Sequence, residues 1–450
     1  MSNVLEGLSY NVQTFGCQMN KHDSERISGL LQSYGCIEVD SVDESDIVVF
    51  MTCCVRESAE TRLLGHVNSI KNLPARPGSK LNHRIIAIGG CMGQQYGSDL
   101  SERAPRIDVV FGTHNIAELP ALIEASIADD GLEYHTLLQA DDFPTDLPTK
   151  REQPWAAWLP ITIGCDNFCT YCIVPYVRGR EKSRSIEDVI SEAQRYVSEG
   201  VKEITLLGQN VNSYGRDLYG KPRFADVLDG VAQTGIERIR FATSHPKDLS
   251  DEVIARFASI DSLMPALHLP VQSGSNRVLD RMNRKYTREH YLDLVSKVRA
   301  AQPDIALSTD VIVGFPGESE QDFEDTLALI DEVGYNQVFT FIYSPRTGTP
   351  AASYEDAVPR DVAQHRFEKL FEVVERRAFE ANQQDLGKVV PVLVEGPSKG
   401  DPNVLAGRSP RNQNIHAPIP EGMDAASLAG HIINVRIDDA KTWYLSGEVA

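Results

Sequence analysis

Ile163-Gly-Cys-Asp-Asn-Phe-Cys-Thr-Tyr-Cys172 places Cys165, Cys169 and Cys172 in a Cys-x-x-x-Cys-x-x-Cys spacing on a loop that follows a short apolar run. Three thiolates so close in sequence suit three irons of a cubic four-iron four-sulfur cluster, with the fourth iron left open to a ligand. Zinc, a disulfide and buried thiols are the competing readings. Structural zinc takes four ligands, commonly as two pairs, and no His or Cys follows closely after Cys172 to complete such a set. The spacing, with Phe168 and Tyr171 interleaved, favours the cluster.

Outward from this loop, strands and helices alternate. Apolar runs near Leu159 to Ile163, Glu203 to Leu207, Arg238 to Ala242, Ala266 to Leu269, Ala306 to Val313 and Gln337 to Tyr343 read as strands separated by helical segments, which suggests an incomplete barrel. Upstream, Tyr10 to Phe15, Asp46 to Met51, Arg84 to Ile88 and Asp108 to Phe111 are short apolar strands with helices between them, as in a parallel sheet covered on both faces. Asn20 is the expected cap of the first helix.

Cys17, Cys53 and Cys91 each follow one of these upstream strands. Loops beyond the carboxyl ends of an open parallel sheet gather along one edge, where ligands bind, so three cysteines distant in sequence are expected to converge there. The alternative is three small buried hydrophobes. Asp141 to Pro148 is charged, carries proline and has no sustained period, so residues 131–154 read as a linker.

Past the barrel, Val362 to Gln384 has Phe367, Leu370, Phe371 and Val374 on one helical face. Val389 to Val394, Val404 to Gly407, His431 to Ile437 and Trp443 to Gly447 then read as short strands of a small antiparallel barrel.

Composition sets bounds on function. A chain of 450 residues holds about three domains. Eight cysteines are too sparse for a disulfide scaffold and suit metal work in a reducing compartment. No apolar run of about 18 residues exists, and the start lacks a basic-then-apolar signal, so the cytoplasm and no membrane contact are expected. A net charge of −20 argues against non-specific nucleic-acid binding by the whole molecule, though not against a local basic groove. Arg178, Arg180, Lys182 and Arg184, or Arg277, Arg281, Arg284, Lys285 and Arg288, could form one, or could be solvated surface charges.

Together these stretches resemble the methylthiotransferase family of the radical S-adenosylmethionine (SAM) superfamily, over nearly the whole chain. Thr14-Phe-Gly-Cys-Gln-Met-Asn20, Thr52-Cys-Cys-Val-Arg-Glu57 and Gly89-Gly-Cys-Met-Gly-Gln94 look like its amino-terminal cluster-binding domain, Ile163 to Glu181 like its radical domain, and the tail like a TRAM domain. Thr243 to Asp248, His268 to Ser275, Arg281 to Tyr286 and Thr340 to Pro345 look most like the branch that makes 2-methylthio-N6-dimethylallyladenosine in tRNA. The fold implied is α/β: an amino-terminal doubly wound parallel sheet at 8–130, a linker at 131–154, a partial (β/α)6 radical SAM barrel at 155–386 and a small antiparallel β-barrel at 387–450.

The resemblance implies two four-iron four-sulfur clusters. Cys165, Cys169 and Cys172 would hold the radical cluster, and Cys17, Cys53 and Cys91 an auxiliary one. Two departures matter: Cys54 stands where relatives often have Ser, leaving the Cys53–Cys54 choice formally open, and Met51 stands where Asn is often seen. Cys36 matches no motif and reads as a buried small residue. SAM would be both the radical source and the methyl donor. Its candidate contacts are Gly208, Gln209 and Asn210 after the second barrel strand, His268 and Gln272 near another strand end, and Gly314 in a Gly-Pro turn; each could equally serve only its turn or the core. The implied reaction replaces the C2 hydrogen of N6-isopentenyladenosine at position 37 of tRNA with a methylthio group, with an electron donor as further partner and a monomeric chain. The alternatives are another modified adenosine, a ribosomal-protein aspartate, or a non-catalytic RNA-binding iron-sulfur sensor.

Overall fold

The computed structural model describes residues 4–54, 57–70, 73–104, 106–129, 131–137 and 147–450, with the side chains of 57–59 excepted. The chain forms two compact units: Met1–Gln153 with Ile163–Asp166 and Cys172–Lys182, and Pro154–Thr162 with Asn167–Tyr171 and Ser183–Ala450.

In the first unit, β1 (Ser9–Phe15), β2 (Ile37–Glu38), β3 (Ile47–Thr52), β4 (Ile85–Gly90), β5 (Val109–Phe111) and β6 (Glu133–His135) form one sheet in the order β2-β1-β3-β4-β5-β6. Every pairing is parallel. β3 shows why: Ile47, Val49 and Met51 enter one core with Ile27 and Leu31 of α1 (Gln18–Ser33), while Val48 and Phe50 enter the opposite core with Leu63 and Val67 of α2 (Glu57–Ile70). Side chains alternate across a strand, so a continuous apolar run serves helices on both faces.

The sequence missed β2 and β6, which carry no apolar alternation and exist only as edge partners of β1 and β5. β6 falls in the stretch read as a linker. Residues 138–146 of that stretch, like Val55 and Arg56, lie outside the described residues. Its end is packed rather than loose: a side chain on Gly29 would meet the Pro148 carbonyl oxygen at 2.4 Å, and Lys150 N–H donates to the Glu25 carbonyl at 2.9 Å. Asn20 is not the cap of α1. Cys17 is, with extended backbone, and Asn20 lies buried in the first turn.

In the second unit, the strands Ala156–Pro160, Glu203–Leu207 and Arg238–Phe241 form one parallel sheet, and Ala266–His268, Ala306–Val313 and Gln337–Ile342 another. A single parallel bridge, Ile239 to Leu263, links the two, giving six staves in chain order without closure. The first stave starts and ends earlier than expected, because Ala156 pairs with Glu203 and the run to Ile163 has already turned away. One core, from Leu159 and Ile204 to Val311, Phe323 and Leu370, joins the staves to their helices, including Arg360–Gln383.

The tail is a closed five-stranded barrel of Val389–Pro397, Val404–Arg408, Asn414–Pro418, Leu445–Val449 and Ile432–Ala440, in that order around the ring. Asn414–Pro418 was not expected: it is short, half polar and ends in proline. Its pairing with Leu445–Val449 is parallel, so the barrel is antiparallel at every other seam. It docks on the staves through backbone carbonyls. Arg238 donates to Arg408 O at 3.0 Å and Pro391 O at 2.9 Å, and Arg240 to Pro410 O at 3.0 Å and Ser409 O at 2.8 Å.

Candidate functional site

The order β2-β1-β3 reverses direction between β1 and β3, which makes the carboxyl end of that pair the switch point where open α/β sheets bind ligands. Cys17 leaves β1, Cys53 and Cys54 leave β3, and Cys91 leaves neighbouring β4 as the first residue of α3 (Cys91–Tyr96). Cys53 N–H bonds the Phe15 carbonyl at 3.0 Å, holding the first two turns together.

The fold therefore gathers four thiols. Cys53 lies in hydrogen-bond reach of both Cys17 and Cys91, and Cys54 of Cys91. Cys53, Cys54 and Cys91 are buried, while Cys17 keeps some exposure. Among the described residues no three His, Cys, Asp or Glu side chains are arranged as ligands of one metal ion. Soft thiols grouped at a switch point fit an iron-sulfur cluster.

Arg178, 4 % exposed, sits within this group. Its Nη2 donates to Asn20 Oδ1 at 2.9 Å and Asp23 Oδ2 at 3.2 Å, and the guanidinium also bonds the Cys91 thiol. Hydrogen bonds from Cys53 and Cys54, then the Arg178 charge, hold the Cys91 thiol well below its ordinary range. Cys17 is drawn down to about 6, first by its bond with Cys53, against the opposing effect of burial, and further by Arg178 and the Asn20 backbone N–H at the start of α1. Cys53 and Cys54 are pushed up in return. Cys36 lies apart, bonded to Leu5 O at 3.5 Å, and burial pushes its thiol up to about 11.

The segment after the triplet belongs to the same unit. Ile173 and Val177 pack on Cys54 and Cys91, and Cys172 lies within electrostatic range of Cys54. Cys165 is held by its N–H to Gly179 O at 3.1 Å, and Asp166 next to it accepts from Arg180 Nε at 2.6 Å and Glu181 N at 3.1 Å. Gly164 is required there: its φ is +73°, and a Cβ would lie 2.1 Å from Arg180 O.

Cys169 belongs to the second unit, where the Arg281 to Tyr286 loop scaffolds it. Thr170 N–H donates to Met282 O at 3.1 Å, Thr170 Oγ1 to Arg281 O at 2.9 Å, and Asn283 Nδ2 to Phe168 O at 2.9 Å. Arg284 Nη1 donates to Cys169 Sγ and Tyr171 Oη, each at 3.4 Å. Phe168, Thr243, Gln272, Asn283 and Lys285 all have positive φ, a strained backbone for non-glycine residues. Such strain concentrates at functional sites.

Gly208, Gln209 and Asn210 follow the Glu203–Leu207 stave directly. A Cβ on Gly208 would lie 2.6 Å from Thr162 Oγ1, and Asn210 Nδ2 donates to Asp248 Oδ2 at 2.7 Å. Gln272 bridges Val311, and Gly314 ends that stave, its N–H donating to Glu318 Oε2 at 2.7 Å. Those residues occupy the carboxyl ends of the staves. His268 does not. Its short stave pairs only with the first three residues of its neighbour, so His268 lies opposite Ser308, bonded to Ser308 Oγ at 3.0 Å, and lines a cavity of 320 Å³ with Arg240, Arg408, Arg411 and Trp443 on the side of the small barrel.

Beside Asn210 Oδ1, which the sequence had singled out, four buried polar atoms without partners at the carboxyl ends were passed over: Thr162 Oγ1, Asn212 Nδ2, Ser244 Oγ and His245 Nε2. Buried polar groups are ordinarily paired, so a cluster of unmet ones is suited to a polar ligand or to ordered water. Their signal was the Thr243-Ser-His-Pro run, a polar cluster ending an apolar strand. The two basic runs do not make a groove: Arg178, Arg184 and Arg284 are buried, while Arg180, Arg277, Arg281 and Arg288 pair with Asp166, Asp322, Asp356 and Glu332.

Three family models match in succession: "Uncharacterized protein family UPF0004" over residues 9–112, the radical SAM superfamily over 159–330 and the TRAM domain over 383–450. Among similar proteins, the tRNA-2-methylthio-N(6)-dimethylallyladenosine synthase of Acetivibrio thermocellus is 46 % identical over 98 % of this chain and 90 % of its own. That of Clostridium botulinum (strain Loch Maree) is 47 % identical over 97 % and 96 %. A solved structure of a radical S-adenosylmethionine methyltransferase, TsrM from Kitasatospora setae, shares the fold at 11 % identity, with a TM-score of 0.53 and 77 % of each chain covered. Thiols at the switch point, a second thiol triplet, a six-stave open barrel, and full-length identity near one half place this chain in the methylthiotransferase family of radical SAM proteins.

Proposed function

We propose that this chain converts N6-isopentenyladenosine at position 37 of tRNA to its 2-methylthio derivative, with Cys165, Cys169 and Cys172 holding the radical four-iron four-sulfur cluster and Cys17, Cys53 and Cys91 the auxiliary one. The observation that carries this reading is the four-thiol group built at the switch point of the amino-terminal sheet, in addition to the Cys165–Cys169–Cys172 triplet. When bound, the clusters and SAM supply one-electron chemistry, sulfur and methyl, which no side chain of this protein can provide.

The protein's own part is to bind, orient and exclude water. Thr162, Asn210, Asn212, Ser244 and His245 offer unmet polar atoms at the carboxyl ends of the staves, suited to the amino, carboxylate and ribose groups of SAM. Burial, with Arg284 and Lys247 close by, holds His245 well below its ordinary pKa, so it meets a ligand as a neutral imidazole. Gln272 and Gly314 line the same ends, and we retain Gly208, Gln209 and Asn210 there as SAM contacts.

For the RNA, aromatic faces stand out where basic charge does not. Phe371 stacks on Phe367 at 6.1 Å and approaches Trp443 at 6.1 Å, and His416 stacks on Tyr444 at 5.0 Å. Phe371, Trp443 and Tyr444 are exposed and offer stacking partners to unpaired bases. No helix among the described residues is long and apolar enough to cross a membrane. A cytoplasmic monomer served by an electron donor completes the reading.

Mass spectrometry of tRNA nucleosides from a deletion strain tests it. Loss of the methylthio group with the isopentenyl group retained is expected. Unchanged tRNA with an unmodified ribosomal aspartate would replace this reading with the protein-modifying one, and no change in either would leave the sensor. A second test is Cys172→Ala, which should abolish deoxyadenosine formation from SAM in a folded chain.

A further inference from the structure

Each set of thiols has one arginine buried against it. Arg178 and Arg284 are each 4 % exposed. Removing a guanidinium from water is costly, and the cost is recovered only where its N–H groups meet good acceptors. Arg178 reaches Asn20, Asp23 and the Cys91 thiol. Arg284 donates from Nε to Tyr286 Oη at 2.9 Å, from Nη2 to Pro270 O at 2.8 Å and from Nη1 to Cys169 Sγ at 3.4 Å, with the Tyr286 ring 5.2 Å beneath it.

The two differ in how their charge is balanced. Arg178 is paired with the buried carboxylate of Asp23, which also has His22 Nδ1 3.7 Å from Oδ1 and the Arg26 charge in range. Among the described residues Arg284 pairs with no carboxylate; its partners are two phenols, a carbonyl and a thiol. A buried cation without a carboxylate is an expensive feature to keep for packing alone. It becomes favourable once a thiol beside it carries negative charge.

We propose that Arg178 and Arg284 are positioning residues that act as counter-charges, one for each cluster, and that each sets the reduction potential of the cluster whose thiolate it bonds. The proposal rests on the cysteine assignments above. Reduction adds negative charge to a cluster and its ligands, and a hydrogen-bonded cation in a low-dielectric site stabilises the more negative state. Each arginine therefore raises the potential of its own cluster. Electron delivery to the two clusters is then controlled at separate residues, one on the segment after the triplet and one on the loop that scaffolds Cys169.

The test is an EPR-monitored potentiometric titration of the full-length, anaerobically reconstituted protein in two backgrounds. In one, Cys165, Cys169 and Cys172 are replaced by Ala; in the other, Cys17, Cys53 and Cys91 are. Arg178→Met should shift the midpoint downward in the first background and leave it unmoved in the second, and Arg284→Met should do the reverse. An unmoved midpoint in either matched pair, or both substitutions moving one cluster alike, overturns the proposal. If a background binds no iron before any arginine is changed, the cysteine assignment fails instead. Should an Arg→Met variant fold but lose its iron, Arg→Lys, which restores the charge, must restore the cluster; if it does not, the arginine is merely structural and the proposal falls.

Discussion

Gly164 carries a constraint that no other residue type relieves. Its left-handed backbone and the Arg180 carbonyl 2.1 Å from where a Cβ would stand leave no room for Ala. Gly164→Ala should cost about 1 to 3 kcal/mol locally, and because Cys165 is the next residue, iron content should fall by roughly half. Iron assay beside circular dichroism checks this, and an Ala variant with full iron would show that the loop tolerates the change. At the auxiliary group the choice between neighbouring thiols is also a residue-scale matter. Cys53 bridges Cys17 and Cys91, whereas Cys54 hydrogen-bonds Cys91 and lies in electrostatic range of Cys172. Cys53→Ser should remove one cluster's iron, while Cys54→Ser should retain it. The reverse result would exchange their roles.

The helix Glu320–Val333 shows how an element fixes the neighbourhood of the candidate SAM contacts. Asp322 closes a capping box with Ser319, accepting from its N–H at 2.8 Å and its hydroxyl at 2.5 Å, and also accepts from Ser275 Oγ at 2.5 Å and from Arg277. Burial pushes this carboxyl up, but the bonds from Arg277, Ser275 and Ser319 outweigh it and hold the group below the ordinary aspartate range. A depressed carboxyl contributes stability that is present in full above its unfolded pKa and is lost as pH falls toward the folded one. Asp322→Asn should therefore cost about 1 to 3 kcal/mol near neutral pH and progressively less below about pH 4. Thermal unfolding of both proteins at pH 7 and pH 3 measures it, and a gap that widens in acid would contradict the assignment.

Within the second unit, the small barrel is held to the staves by two guanidiniums, one buried and one partly buried, that donate to its carbonyls. Arg240 is anchored in turn by Glu203 at 2.8 Å. Arg240→Ala removes two such bonds and the ion pair with Glu203, a loss of about 2 to 4 kcal/mol. The expected outcome is a tail that becomes sensitive to limited proteolysis and a chain with weaker tRNA affinity, with SAM cleavage in the absence of RNA kept. Unchanged proteolysis would mean that other contacts hold the barrel.

The triplet, the strands before Cys17, Cys53 and Cys91, the six staves and the strand-rich tail were legible because each depends on local spacing and apolar runs, and those patterns are written residue by residue. β2, β6 and Asn414–Pro418 were not, since an edge or seam strand is defined by the partner it hydrogen-bonds rather than by its own pattern. That His268 ends its stave opposite Ser308, well short of its neighbour's end at Val313, was not legible for the same reason: how far a short strand runs beside its neighbour is a matter of register. Arg178 and Arg284 read as surface basic runs in the chain, and only packing makes them buried neighbours of thiols. A charge's role depends on where water is excluded, and that is decided when distant segments meet.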